Sequence, residues 1–197
     1  MKSGNSLTAN WVDNGLILYA EYNKDRKTLE EQAANYMKYG FAYPRDKEYL
    51  KTDFLRWMRS RNSRIKFEYA IDSSSKQLEI INQAKGKNDL NIDFLEKSLE
   101  RLSEISGVGP VLASAILTLS NPTIYGIVCQ YTVIALKREV HHEYHLNNTH
   151  DVRDIIFEMA NIRNYFKEKY SKEYRVRDID MALWAYGKRD EKKRCVS

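Results

Sequence analysis

Leu102-Ser103-Glu104-Ile105-Ser106-Gly107-Val108-Gly109-Pro110-Val111-Leu112-Ala113-Ser114-Ala115-Ile116-Leu117 is the stretch from which this chain is read. A helix ends, Gly107 and Gly109 flank Val108, and a second helix starts with Pro110 in its first turn, where its missing N–H costs nothing. Glycine permits backbone angles that a Cβ forbids and lets another backbone come close. The second helix turns its unpaired N–H groups and positive dipole end toward whatever meets the bend, which suits a phosphate. Ala113, Ser114 and Ala115 are small enough for two helices to pack tightly, and Ile105, Val108 and Ile116 supply an apolar joint.

Outward from this hairpin, helical periodicity dominates. Upstream, Phe94, Leu95, Leu99 and Leu102 recur at helical spacing, so the helix–turn–helix unit covers about 93–120. Asp25 and Asp46 suit the caps of two earlier helices, the first carrying Leu29, Ala33, Tyr36 and Met37 to a stop at Gly40, the second carrying Leu50, Phe54, Trp57 and Met58. Ser73-Ser74-Ser75 precedes a helix bearing Leu78, Ile81 and Ala84, and Gly86-Lys87-Asn88-Asp89 is a polar loop. Pro122 fits the first turn of a helix running through Ile127, Tyr131 and Ala135. Residues 141–150 form a polar connector. Asp151 opens a helix with Ile155, Phe157, Met159 and Ile162, and Asp178 opens the last, with Ile179, Ala182, Leu183 and Tyr186 inward. Ile65-Phe67-Tyr69 alternates too briefly to separate strand from helix. Trp11 to Tyr22 reads either as a short hairpin about Asp13-Asn14-Gly15 or as a surface segment. The expectation is one all-α domain over 1–197, a helical bundle, with residues 189–197 as a flexible charged tail.

Composition bounds the function. In 197 residues, 43% hydrophobic content with 12% aromatic argues against disorder, and 8 Gly with 3 Pro excludes collagen-like and linker-dominated chains. The 2 cysteines, Cys129 and Cys195, are too few for a disulfide framework or a thiolate zinc site and fit a reducing compartment. No apolar run approaches the ~20 residues of a membrane helix, and the first residues lack the apolar segment of a signal peptide. The expected setting is intracellular, cytoplasmic or nucleoid-associated, with no membrane partner. A net charge of +5 permits a polyanionic partner.

The positions Leu102, Ile105, Gly107, Gly109, Ala113 and Ile116 together resemble the helix-hairpin-helix motif, which grips the DNA backbone without reading sequence. Ser120-Asn121-Pro122-Thr123-Ile124-Tyr125-Gly126-Ile127-Val128-Cys129-Gln130 is similar to the segment after the hairpin in base-excision DNA glycosylases of the helix-hairpin-helix superfamily. Asp178 to Lys188 looks like the closing helix of small relatives of those enzymes. The resemblance implies a DNA-glycosylase-like helical fold, duplex or damaged DNA as partner, and backbone contact through Gly107, Val108, Gly109, Val111 and Leu112. It also implies a monovalent cation held by the carbonyls of Ser103, Ile105 and Val108, with no other cofactor. The catalytic aspartate of the family falls at Cys129, where a neutral thiol supplies no negative charge. The Schiff-base lysine of its bifunctional members falls at Val111, which forms no imine. Both catalytic positions are vacant, so the resemblance carries DNA contact further than it carries chemistry.

Other signals divide between a functional and a plainer reading. Arg56, Arg59, Arg61 and Arg64 follow the second helix, with Lys66 beyond; Arg59, Arg61 and Arg64 are candidate phosphate contacts, or a solvated helix end favoured by the C-terminal dipole. Trp57 between them reads as core. Lys137 and Arg138 would extend a basic surface. His141, His142, His145 and His150 lie in one polar loop without metalloprotease spacing, so solvation outweighs zinc. The 14 tyrosines are mostly amphipathic core residues, some able to stack on an extruded base. Three functions are weighed: a DNA-binding protein without glycosylase activity, an active glycosylase using another carboxylate such as Asp178 or Asp180, and a helical interaction protein in which the hairpin is only a corner.

Overall fold

The computed structural model describes residues 7–24, 31, 75–104, 107–137 and 144–194. Its helices are α1 (Trp11–Tyr22), α2 (Ser75–Lys85), α3 (Ile92–Ser103), α4 (Pro110–Ser120), α5 (Gln130–Leu136), α6 (Thr149–Tyr170) and α7 (Val176–Arg194). No strand occurs among the described residues, so the all-α expectation holds. The helices expected over 25–40 and 46–58, the arginines at 56, 59, 61 and 64, and Ile105 lie outside the described residues.

Local chemistry sets the helix ends. The Asn91 side chain accepts from Phe94 N at 2.8 Å to start α3, and Asn148 accepts from His150 N at 2.9 Å to start α6. Each satisfies an amide with no partner inside its helix. Helix α6 stops where Ser171 turns left-handed at φ 53°, and Ser171 N and Lys172 N return to the carbonyls of Lys167 and Phe166. Helix α7 is capped from elsewhere in the chain. Val176 N and Arg177 N donate to the carbonyls of Thr123 and Pro122 at 3.1 Å each, while Arg175 N donates to the Asp178 carboxylate.

Spacing sets the buried faces. Leu95, Leu99 and Leu102 of α3 are fully buried, each worth about 1.5–3 kcal/mol relative to exposure. They face α4, whose residues 112–118 are all buried, and α6, which contributes Val152, Ile155, Ile156 and Met159. Phe157, off the face that Ile155, Met159 and Ile162 share, is 38% exposed. The other half of the fold is α7, packed between α1 and α5. Trp11 stacks on Phe166 and tilts against Tyr186 at 6.3 and 4.8 Å between ring centroids. The Tyr186 hydroxyl donates to Trp11 O, and Tyr170 donates to Leu7 O. Asp13 receives Lys172 Nζ at 2.6 Å and the Tyr174 hydroxyl at 2.8 Å, and these donors hold its carboxyl below the usual carboxylate range.

Several boundaries depart from the sequence reading. Trp11–Tyr22 is a helix, because Gly15 lies where α1 crosses α7; a Cβ there would sit 2.5 Å from the Ala182 Cβ. Its glycine serves close helix packing rather than a turn. Pro122 stands in a turn, not in the first turn of a long helix: residues 125–129 are non-helical and α5 begins only at Gln130. Residues 189–194 extend α7, and Asp190 is 3% exposed; the expected charged tail is, over this stretch, packed helix.

Candidate nucleic-acid interface

Helix α3 ends at Ser103, with Glu104 still helical as its C-cap. Gly107 then takes φ +84°, the left-handed region that disfavours any side chain. Val108 turns inward at 3% exposure, while Gly107 and Gly109 on either side are exposed. Valine is therefore the anchor and the glycines are the outer rim. Gly109 is the N-cap of α4, with Pro110 following, and its carbonyl accepts from Leu112 N and Ala113 N at 3.0 and 2.9 Å. No side chain caps this helix. Leu112 is buried and Val111 half-buried, so their side chains serve the core and only their backbone belongs to the rim.

The two glycines differ in what the fold asks of them. Gly107 needs its positive φ. Gly109 sits at φ −88° and ψ 176°, extended backbone open to any residue, and a Cβ there would meet nothing within 4 Å. Among the described residues, neither geometry nor packing explains a glycine at 109. Glu104, the C-cap of α3, is paired with Arg101 Nη1 at 3.1 Å. Both side chains are more than half exposed, so the pair adds little stability, though it offsets the Glu104 charge.

A network of polar contacts fastens the hairpin to the segment where the resemblance expects catalysis. Ser114 Oγ donates to Val111 O at 2.6 Å and accepts from Val128 N at 3.1 Å. One buried hydroxyl thus brings Val111 and the residue before Cys129 together. Ile127 N donates to Asp180 Oδ2 at 2.7 Å, and the other Asp180 oxygen pairs with the Arg177 guanidinium, which also reaches the Tyr19 hydroxyl at 3.1 Å. Asn121 spans the far end, donating to Ala84 O and Lys87 O. Cys129 is the half-buried N-cap residue of α5, with Sγ 3.4 Å from Thr132 Oγ1.

The two acids weighed as substitute catalysts have structural partners. Asp180 is 2% exposed and bonded to Ile127 N and Arg177. Asp178 accepts from Arg175 N and pairs with the Arg175 side chain at 2.7 Å. The capture of the Ile127 amide by Asp180 is not legible in the sequence, because nothing in spacing links residues 53 positions apart. Nor is the hydroxyl bridge at Ser114, which in sequence is one more small residue in a tight helix.

The cation implied at the hairpin meets a fitting feature. The hydroxyl of Ser103 is buried without a hydrogen-bond partner, and a bare buried oxygen calls for a donor or a cation. Ser103 and Val108 would hold such an ion with their carbonyls, and the ion would supply positive charge at the bend. Of the histidines, His145 and His150 are described; His150 Nδ1 lies 2.5 Å from Glu96 Oε1, beside Arg153. No group of three or more His, Cys, Asp or Glu among the described residues is arranged to hold a metal, and no described helix is long and apolar enough to cross a membrane. Comparison with protein families, with curated proteins and with solved structures yields no match to this chain.

Proposed function

We propose that this chain binds duplex DNA through its phosphate backbone at the bend between α3 and α4, without cleaving the glycosidic bond. Gly109 carries the reading. It is exposed, needs no special backbone angle, and has open space where a side chain would go. A position that the described residues leave bare suits the close approach of an external backbone. The uncapped start of α4 and its dipole favour an anion there. Cys129 and Val111 supply neither a carboxylate nor an amine, and Asp178 and Asp180 are held by partners of their own, which supports binding without base excision.

The test is anisotropy of a labelled blunt duplex across a salt titration. Binding driven by released counterions weakens with a log–log slope of about 0.9 per neutralised phosphate and is insensitive to sequence. Gly109→Val fills the bare position without strain in this chain and is expected to weaken binding about tenfold, equivalent to about 1.4 kcal/mol. A slope near zero, or unchanged affinity in Gly109→Val, overturns the reading. Lesion-bearing duplexes treated with alkali after incubation are expected to show no abasic sites.

A further inference from the structure

We infer that Lys192 and Lys193, near the end of α7, contact phosphates of the same duplex that the bend holds. In sequence, residues 188–194 are a mixed run, five Lys or Arg against two acids. The fold sorts them. Asp190 is 3% exposed, and Glu191 is half-buried with its carboxylate 3.4 Å from Gln130 Nε2 of α5. Lys188 lies over the Trp184 and Tyr22 rings at 4.5 and 4.8 Å, and Arg189 over the Tyr186 ring at 4.9 Å, so both are engaged within the fold. Lys192 and Lys193 are exposed. A run that carries both signs thus keeps its acids in or half in and sets these two cations out.

A basic helix end has a plainer explanation, since lysines are favoured beside the C-terminal carbonyls. That accounts for cations in the last turns of α7 but not for where those turns lie. The Ser114 hydroxyl joins Val111 O, in the first turn of α4, to Val128 N. Two residues on, Gln130 opens α5 and approaches Glu191, and the carbonyl of Tyr131 stands against Gly187. One short path of contacts therefore runs from the start of α4 to the last turns of α7.

An uncapped helix start at one end of this path and exposed ammonium groups at the other suit a polymer whose negative charges repeat along its length. A duplex carries one charge per about 1.7 Å of its axis, so a duplex at the bend brings many phosphates near. Lys192 Nζ lies 4.8 Å from the Tyr22 ring centroid, which restrains a flexible side chain and lowers the entropy lost when it is held by a phosphate. The inference rests on the reading of the bend as a duplex site and extends that site along α7.

The experiment repeats the salt titration of the blunt duplex with three variants. Lys192→Gln/Lys193→Gln is expected to lower the log–log slope by about 1.8, at ~0.9 per phosphate contact, alike for unrelated sequences. Lys167→Gln/Lys169→Gln removes equal charge from exposed positions of α6 and is expected to leave the slope at its wild-type value. Gly109→Val reports on the bend. All four lysines are exposed, and a thermal melt checks that each variant folds. An unchanged slope in the α7 variant with binding weakened by Gly109→Val overturns this inference and leaves the bend intact. An equal fall in the α6 and α7 variants also overturns it, because net charge alone would then explain the effect. A fall confined to the α7 variant with Gly109→Val unaltered supports α7 as a phosphate surface and sinks the reading of the bend. No duplex binding at low salt overturns both.

Discussion

Gly187, on a packed face of α7, and Gly109, at the start of α4, are glycines for opposite reasons. At Gly187 the backbone of α5 fills the place of a side chain, and the same holds for Gly126, whose absent Cβ would overlap Met159 Sδ, and for Gly15 against Ala182. These residues let α7 be gripped from both sides. At Gly109 none of the described residues comes within 4 Å of where a Cβ would stand. The first kind is explained by the fold, and the second needs an explanation outside it. One criterion, the space around a missing atom, therefore separates scaffold from candidate interface.

The largest expected effect tests the scaffold side. Gly187→Ala places a methyl into the Tyr131 carbonyl, and since the obstacle is backbone it cannot turn aside. The expected loss is about 3 kcal/mol, at the upper end of overpacking, with a fall in Tm of roughly 6–12 °C for a chain of this size. A thermal melt within a degree of wild type breaks the comparison, because the close approach would then be optional.

A smaller effect of opposite sign sharpens it. Tyr125 is fully buried and its hydroxyl has no hydrogen-bond partner. Burial pushes its ionisation up to about 12 from an ordinary 10.0. Tyr125→Phe removes an unsatisfied group and is expected to stabilise by about 1 kcal/mol. The folded form disfavours the phenolate, so this tyrosine's contribution is fully present below pH 10 and lost as pH rises toward about 12. Urea titrations of both proteins at neutral and alkaline pH read the difference: wild type should lose more stability above pH 10 than the variant. Parallel curves would mean that the hydroxyl is solvated in solution.

The smallest change in stability is expected at the bend. Gly109→Ala, at backbone angles any residue adopts, should raise stability by about 0.4–1 kcal/mol by restricting the unfolded chain. Loss of stability in denaturant would place an internal contact at Gly109 and remove the reason for looking outside the chain. Gain of stability together with weakened duplex binding is the expected pairing.

Much of the scaffold was legible along the chain. Leu95, Leu99 and Leu102 announced the buried face of α3, Gly107 and Gly109 announced the break before α4, and Ile179, Ala182 and Leu183 announced the inner face of α7. The misreadings cluster where a residue's reason lies far away in sequence. Gly15 looked like a turn because its contact is Ala182. Pro122 looked like a helix start, but its carbonyl instead caps α7 from outside by accepting Arg177 N. The charged residues after Lys188 looked like a loose tail, although Asp190 is buried and Lys188 and Lys192 lie over aromatic rings.

By itself, the order of residues determined which segments are helical and which faces are apolar, because period and capping act within a few positions of one another. It also placed a glycine-rimmed bend after α3. Only the tertiary structure decided which glycines the fold requires, where the amides of the 122–128 segment and of α7 find acceptors, and which charges stand over rings. Those matters depend on atoms that are neighbours in space and strangers in sequence, and close packing leaves each of them a single arrangement.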